Sequence, residues 1–146
     1  MTKGTKIAAV GFLIFAILIG ASYMSKRSAP DSVDQPVPPV TSAAAETIEK
    51  ATDNGESMWL LFRSTTCNPC VEMQKVFDQL EPEYKDKVRF IAIDVNDQAN
   101  IEILRVWRIQ YIPTTFIVDS TGEITYQNVG VIPTEDLKKE LNKVVK

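Results

Sequence analysis

The only two thiols of this chain are Cys67 and Cys70, with Asn68 and Pro69 between them. Three chemistries suit such a pair: half of a metal site, a structural staple, or a couple that cycles between dithiol and disulfide. Zinc asks for four ligands, and the chain contains no histidine. A metal site would need a second chain, so no metal is expected. A disulfide between near neighbours closes a very small loop, so it falls well below the ~3 kcal/mol expected of a 15-residue loop. A redox couple meets neither objection. The absence of histidine also removes the commonest general base and argues against hydrolytic triads.

The elements around the pair are readable from their spacing. Met58–Ser64 is an apolar run suited to a buried strand. From Cys67 to about Tyr84 the pattern is helical, with Val71, Val76, Phe77 and Leu80 recurring between charges. Thr65 or Thr66 suits the cap of that helix, and Pro69 suits its first turn. Pro82 is expected to end or bend it. Cys67 then lies at a helix N-terminus, where free N–H groups and the positive end of the dipole stabilise a thiolate. Arg63 and Lys75 are the nearby cations. Cys70, one turn further in, is expected to be more shielded. One reactive thiol and one shielded neighbour suit disulfide exchange, with Cys67 attacking and Cys70 resolving.

The remaining elements alternate. A helix over Ala43–Asn54 ends at Gly55. Val88–Val95 reads as a strand, Ala99–Trp107 as a helix, and Thr114–Asp119 and Glu123–Val129 as strands around a turn at Ser120-Thr121-Gly122. Pro133 and Thr134 open a last helix with Leu137, Leu141 and Val144 on one face. The order αβαβαββα indicates a layered α/β sandwich with a mixed central sheet.

Two segments precede this domain, which spans 43–146. Residues 1–27 read as a membrane element, since no residue from Ile7 to Met24 is charged and a spanning helix needs roughly 20 apolar residues. The main reading is an uncleaved transmembrane anchor. The alternative is a signal segment cleaved near Gly20-Ala21-Ser22, which would release a secreted domain. Both put the domain outside the cytoplasm if Lys3 and Lys6 stay inside, although Lys26 and Arg27 weaken that asymmetry. Residues 28–42, with four prolines, read as an extended linker. The net charge of −3 argues against a nucleic-acid partner.

Phe62 to Val95, followed by Ile109 to Gly130, resembles the thioredoxin-fold disulfide oxidoreductases. The resemblance runs from Ala43 to the C-terminus and is carried jointly by Cys67-Asn68-Pro69-Cys70, by Ile112-Pro113-Thr114 and by Gly130. It implies a thioredoxin-like three-layer sandwich. It also implies a cis bond before Pro113, set against the cysteines, with Ile112 offering its backbone to an extended substrate. Gly130 would bound the substrate groove. The resemblance implies no cofactor beyond a redox-active Cys67–Cys70 disulfide. Three departures stand out. Thr66 occupies the usual tryptophan position before the first cysteine. Leu61 occupies the position of a buried aspartate that helps deprotonate the second cysteine. Ala92 occupies that of a lysine paired with it. Glu72 and Asp94 are candidate substitutes for the carboxylate, and Trp59 and Trp107 are expected to pack the core.

Proline as the second spacer residue resembles reducing thioredoxins and the membrane-tethered thioredoxins of cytochrome c maturation. The implied activity is reduction of protein disulfides in an oxidising compartment, fed by a transmembrane electron-donor protein. An oxidant or isomerase, and a non-catalytic module that binds clients beside Pro113, are the alternatives.

Overall fold

The computed structural model describes residues 42–145, so the expected membrane segment and all of the expected linker except Ser42 lie outside the described residues. Among the described residues no helix is long and apolar enough to cross a membrane.

Helix α1 covers Ala43–Asp53 and is capped by Ser42, whose Oγ accepts the Ala45 N–H at 3.0 Å. Its C-terminus is closed by two reversed bonds, from the Gly55 N–H to the Thr52 carbonyl and from the Glu56 N–H to the Ala51 carbonyl. Gly55 sits at φ +63°, the left-handed conformation this closure needs. Strand β1, Ser57–Arg63, is buried at every position but the last. A strand covered on both faces reads as an unbroken apolar run rather than an alternating one, as this one does.

Helix α2 covers Asn68–Tyr84 and buries Cys70, Met73, Phe77, Leu80 and Tyr84. Pro82 does not end the helix, which runs on to Tyr84. It sits in the last turn, where the lost N–H costs one bond and the chain is about to leave the helix. Strand β2 is Val88–Asp94. The helix expected over Ala99–Trp107 is divided: a 3-10 turn, Gln98–Asn100, precedes a short helix α3, Ile101–Val106. The local polar groups explain the tight turn. Asp97 caps it by accepting the Ala99 N–H at 2.9 Å, and the Asn100 side chain donates back to the Asp94 carbonyl at 2.9 Å. Strands β3, Thr114–Val118, and β4, Ile124–Val129, form a hairpin, and α4 covers Thr134–Val144.

The sheet order is β2-β1-β3-β4, with β1 parallel to β2 and β3 antiparallel to both of its neighbours. Side chains alternate across β1. Trp59 and Leu61 enter a core with α2 and α4, which includes Met73, Phe77, Leu137 and Leu141. Met58, Leu60 and Phe62 enter a second core with α1 and α3, which includes Ala51, Ile103 and Phe116. The result is the expected three layers around a mixed sheet. Ser57 Oγ donates to the Val144 carbonyl at 2.9 Å and pins the last turn of α4 to the start of β1.

Candidate active site

The β1–α2 junction is held by side chains rather than by helix propensity alone. Ser64, buried just after β1, places its Oγ 3.0 Å from the Thr66 hydroxyl and accepts from the Asn96 amide at 2.7 Å. The Asn96 N–H in turn donates to Asp94 Oδ1 at 2.9 Å. The loop before the cysteines is thereby tied to the loop after β2. Neither Ser64 nor Asn96 was singled out by spacing. Their signal is a small polar residue at the end of an apolar strand, which many turns share.

The cap of α2 is neither Thr65 nor Thr66. It is Cys67, whose Sγ accepts the Cys70 N–H at 3.4 Å. Thr66 is engaged by Ser64, so the first side-chain acceptor within reach of the free N–H groups is sulfur. Pro69 lies in the first turn as expected, and no acidic side chain is present in that turn. Cys67 is half-buried and Cys70 is 0% exposed. Asn68 and Pro69 between them are exposed. The two cysteines are joined as a disulfide.

The register of the sheet brings the second segment to the same end. Phe62, near the end of β1, pairs with Thr114 at the start of β3, so the Pro113 segment lies one strand away from the β1–α2 junction. The Ile112–Pro113 bond is cis. Thr114 Oγ1 donates to the Tyr111 carbonyl at 2.6 Å, and the Gly130 N–H donates to the Pro113 carbonyl at 2.8 Å. Gly130 has φ +101°, which favours glycine. Pro113 is buried, while Ile112 and Gly130 are half-buried. Exposed apolar side chains adjoin each piece in sequence: Val71 after Cys70, Tyr111 before Ile112, and Val129 and Val131 on either side of Gly130.

A model of the thioredoxin-like domain matches residues 44–145. The chain belongs to the thioredoxin-like domain family. Similar proteins include the thiol-disulfide oxidoreductase ResA of Bacillus cereus, 27% identical over 93% of this chain and 88% of its own length. Thioredoxin H2-1 of Oryza sativa is 33% identical over 56% of this chain and 55% of its own length. A solved Chlorobium tepidum chain, assigned as the thiol:disulfide interchange protein DsbE, superposes with a TM-score of 0.60 at 20% identity. That match covers 68% of this chain and 85% of the other.

Within this thioredoxin-like domain neither expected substitute for the missing carboxylate is buried as Cys70 is. Glu72 is exposed, and Asp94 uses one oxygen to bind the Asn96 N–H. Leu61 is fully buried opposite Ala92 on one side and Thr115 on the other. Both tryptophans pack as expected. Trp59 meets Phe77 and Phe90 at 4.8 and 4.9 Å between ring centres, and Trp107 meets Phe116 at 4.9 Å.

Proposed function

We propose that this chain is a thiol-disulfide oxidoreductase that reduces protein disulfides outside the cytoplasm, cycling between a Cys67/Cys70 dithiol and the disulfide. The observation that carries the reading is the asymmetry of the pair: a half-buried sulfur caps the N-terminus of a 17-residue helix, and its partner is wholly buried one turn in. The N-terminal dipole and N–H groups favour a thiolate at Cys67. That thiolate attacks a substrate disulfide, forming one S–S bond as another breaks, and the displaced sulfur leaves with the electron pair and takes a proton. Cys70, as thiolate, then attacks Cys67 Sγ, and the second substrate sulfur is released. Two electrons have passed to the substrate, and the enzyme is left as the disulfide.

Ile112, which precedes Pro113, offers main-chain groups to which an extended peptide can add by strand pairing, and Gly130, whose N–H holds the Pro113 carbonyl, bounds the same end of the sheet. The exposed valines and Tyr111 suit an apolar stretch of client. The names of the similar proteins support the activity, and the Cys67-Asn68-Pro69-Cys70 spacer favours the reducing direction. The uncharged run Ile7–Met24 favours a membrane anchor. Reduction in an oxidising compartment then requires a membrane partner that supplies a dithiol. Cytochrome c maturation is a setting in which such a reductant would serve.

Cys70→Ser in the full chain, expressed in membranes, is expected to accumulate mixed disulfides at Cys67 whose partners name the client and the compartment. Recovery of none would overturn the assignment of attacker and resolver. A redox titration fixes direction: a potential near −270 mV supports a reductase, and one near −120 mV an oxidant.

A further inference from the structure

The proposed cycle leaves one chemical demand unmet. Cys70 is 0% exposed, a buried thiol resists ionisation, and the resolving step needs a thiolate. Among the described residues no carboxylate is buried; the buried polar side chains are Ser42, Ser57, Ser64, Asn100, Thr114 and Thr115. Three unpartnered polar atoms of the strands lie on the face of the sheet that α2 covers: Trp59 Nε1, Arg63 Nε and Thr115 Oγ1. Thr115 is the cross-strand partner of Leu61 and shares its face. It is 0% exposed, and its Oγ1 has no hydrogen-bond partner. Arg63, two residues beyond Leu61 on β1 and therefore on the same face, has a buried Nε that is also unpartnered. A buried unpaired hydroxyl costs roughly 1–3 kcal/mol, and valine would fill the same space without that cost. The hydroxyl is accounted for if its role belongs to the reduced state.

We propose that Thr115 is a positioning residue for the resolving step: with Arg63 on the same face of the sheet, its hydroxyl stabilises reduced Cys70 as a thiolate. As the mixed disulfide at Cys67 resolves, the Cys70 proton leaves to solvent and its sulfur electron pair forms the bond to Cys67 Sγ. The bond from Cys67 to the client breaks, and the client sulfur departs with that pair and takes up a proton. The charged groups of the strands on this face are Arg63 on β1 and Asp94 opposite it on β2; Glu72, Lys75 and Asp78 on α2 are exposed, and the Tyr84 and Tyr126 phenols pack into the same core. The buried positions of α4 are Leu137, Leu141 and Val144, and carry no charge. Asp94, paired with Arg63 across the strands, offsets part of the Arg63 charge.

The inference rests on the dithiol–disulfide reading, and the test separates the two. The full chain carrying Thr115→Val or Thr115→Ser is loaded at Cys67 with thionitrobenzoate, and release of the coloured thiol is followed against pH. Loading at Cys67 is expected to be unchanged in both variants. Release is expected to slow about tenfold in Thr115→Val, with its pH profile displaced upward, and to stay near the parent rate in Thr115→Ser. The melting temperature of oxidised Thr115→Val should hold or rise, because an unpaired buried hydroxyl has been removed. Parent-like release by folded Thr115→Val at every pH overturns the role of Thr115 alone. Failure of the parent to load at Cys67 overturns the redox reading and this inference with it. Should Thr115→Val not fold, alkylation of Cys70 in Cys67→Ser decides. Titration clearly below the ordinary thiol value of about 8.5 supports the proposal, and titration at or above it overturns it.

Discussion

The two faces of the sheet share the same strands yet differ in kind. The face under α1 and α3 stacks Phe62, Phe116 and Trp107 edge to face and tilted at 4.9 to 6.1 Å, and its buried Thr114, paired with Phe62, donates to the Tyr111 carbonyl. The face under α2 and α4 holds the unpartnered Trp59 Nε1, Arg63 Nε and Thr115 Oγ1, and α2 itself contributes Gln74 Oε1. Each such group costs on the order of 1–3 kcal/mol when buried unpaired. The polar groups left unpaired are thus on the face that α2, the helix carrying Cys70, covers, whereas the buried Thr114 hydroxyl of the opposite face is satisfied.

The sharpest way to break that division is to remove the chemistry without touching the cohesion. Cys67→Ser is expected to abolish disulfide exchange, measured by insulin reduction, while circular dichroism stays that of the parent. The disulfide it deletes closes too small a loop to hold the fold. Retained turnover would show that the α2 face is not the working one.

Phe62→Ala tests the converse. It empties part of the cohesive layer and is expected to cost about 3–5 kcal/mol in denaturant unfolding. Exchange by the molecules that remain folded should be little changed. Met73→Ala on the α2 face is expected to cost about 2–5 kcal/mol and, in contrast, to alter the exchange rate, because Met73 is buried on the same helix about one turn beyond Cys70. Equal effects of the two variants on exchange would dissolve the distinction between the layers.

These contrasts also show what could be read from the chain before its fold was known. The strand–CxxC–helix junction was legible because an unbroken apolar run, a proline in a first turn and a helical period are all local signals. Strand order was not. That β3 lies beside β1 depends on pairing across more than fifty positions, and Cys67 and Pro113 meet at one sheet end only through the Phe62–Thr114 register. The cap was misplaced for a physical reason: threonine is the better cap in general, but Ser64 had already claimed Thr66. Thr115 was invisible because a β-branched residue in a strand is what packing predicts. Only its burial and lack of a partner set it apart.

Gly130 gives a smaller effect at the edge of the working face. No atom lies within 4 Å of an added Cβ, so Gly130→Ala meets only backbone strain at φ +101°, of order 1–3 kcal/mol. Its N–H holds the Pro113 carbonyl. The variant is therefore expected to lose a few degrees of melting temperature and to raise KM for a peptide disulfide more than it lowers kcat. A pure kcat loss would place Gly130 outside substrate binding.

The smallest expected effect concerns pH. Tyr84 and Tyr126 both pack into the α2/α4 core. Burial, reinforced by Glu83, holds the Tyr84 phenol above its ordinary 10.0, against the pull of Lys138 and of the bond to Asn142 Oδ1 at 3.1 Å. Burial, with Glu140 and Asp136, does the same for Tyr126. Above pH 10 the unfolded phenols ionise first, so the folded state then binds more protons than the unfolded one. The stabilisation is complete below pH 10 and is lost as pH rises through the folded values. Melting temperature should therefore fall as pH rises above 10 and fall less steeply in Tyr84→Phe, which removes one of the two phenols from that core. A variant with the parent's full alkaline slope would place the sensitivity elsewhere, with the Lys138–Glu83 pair on the same face the next group to test.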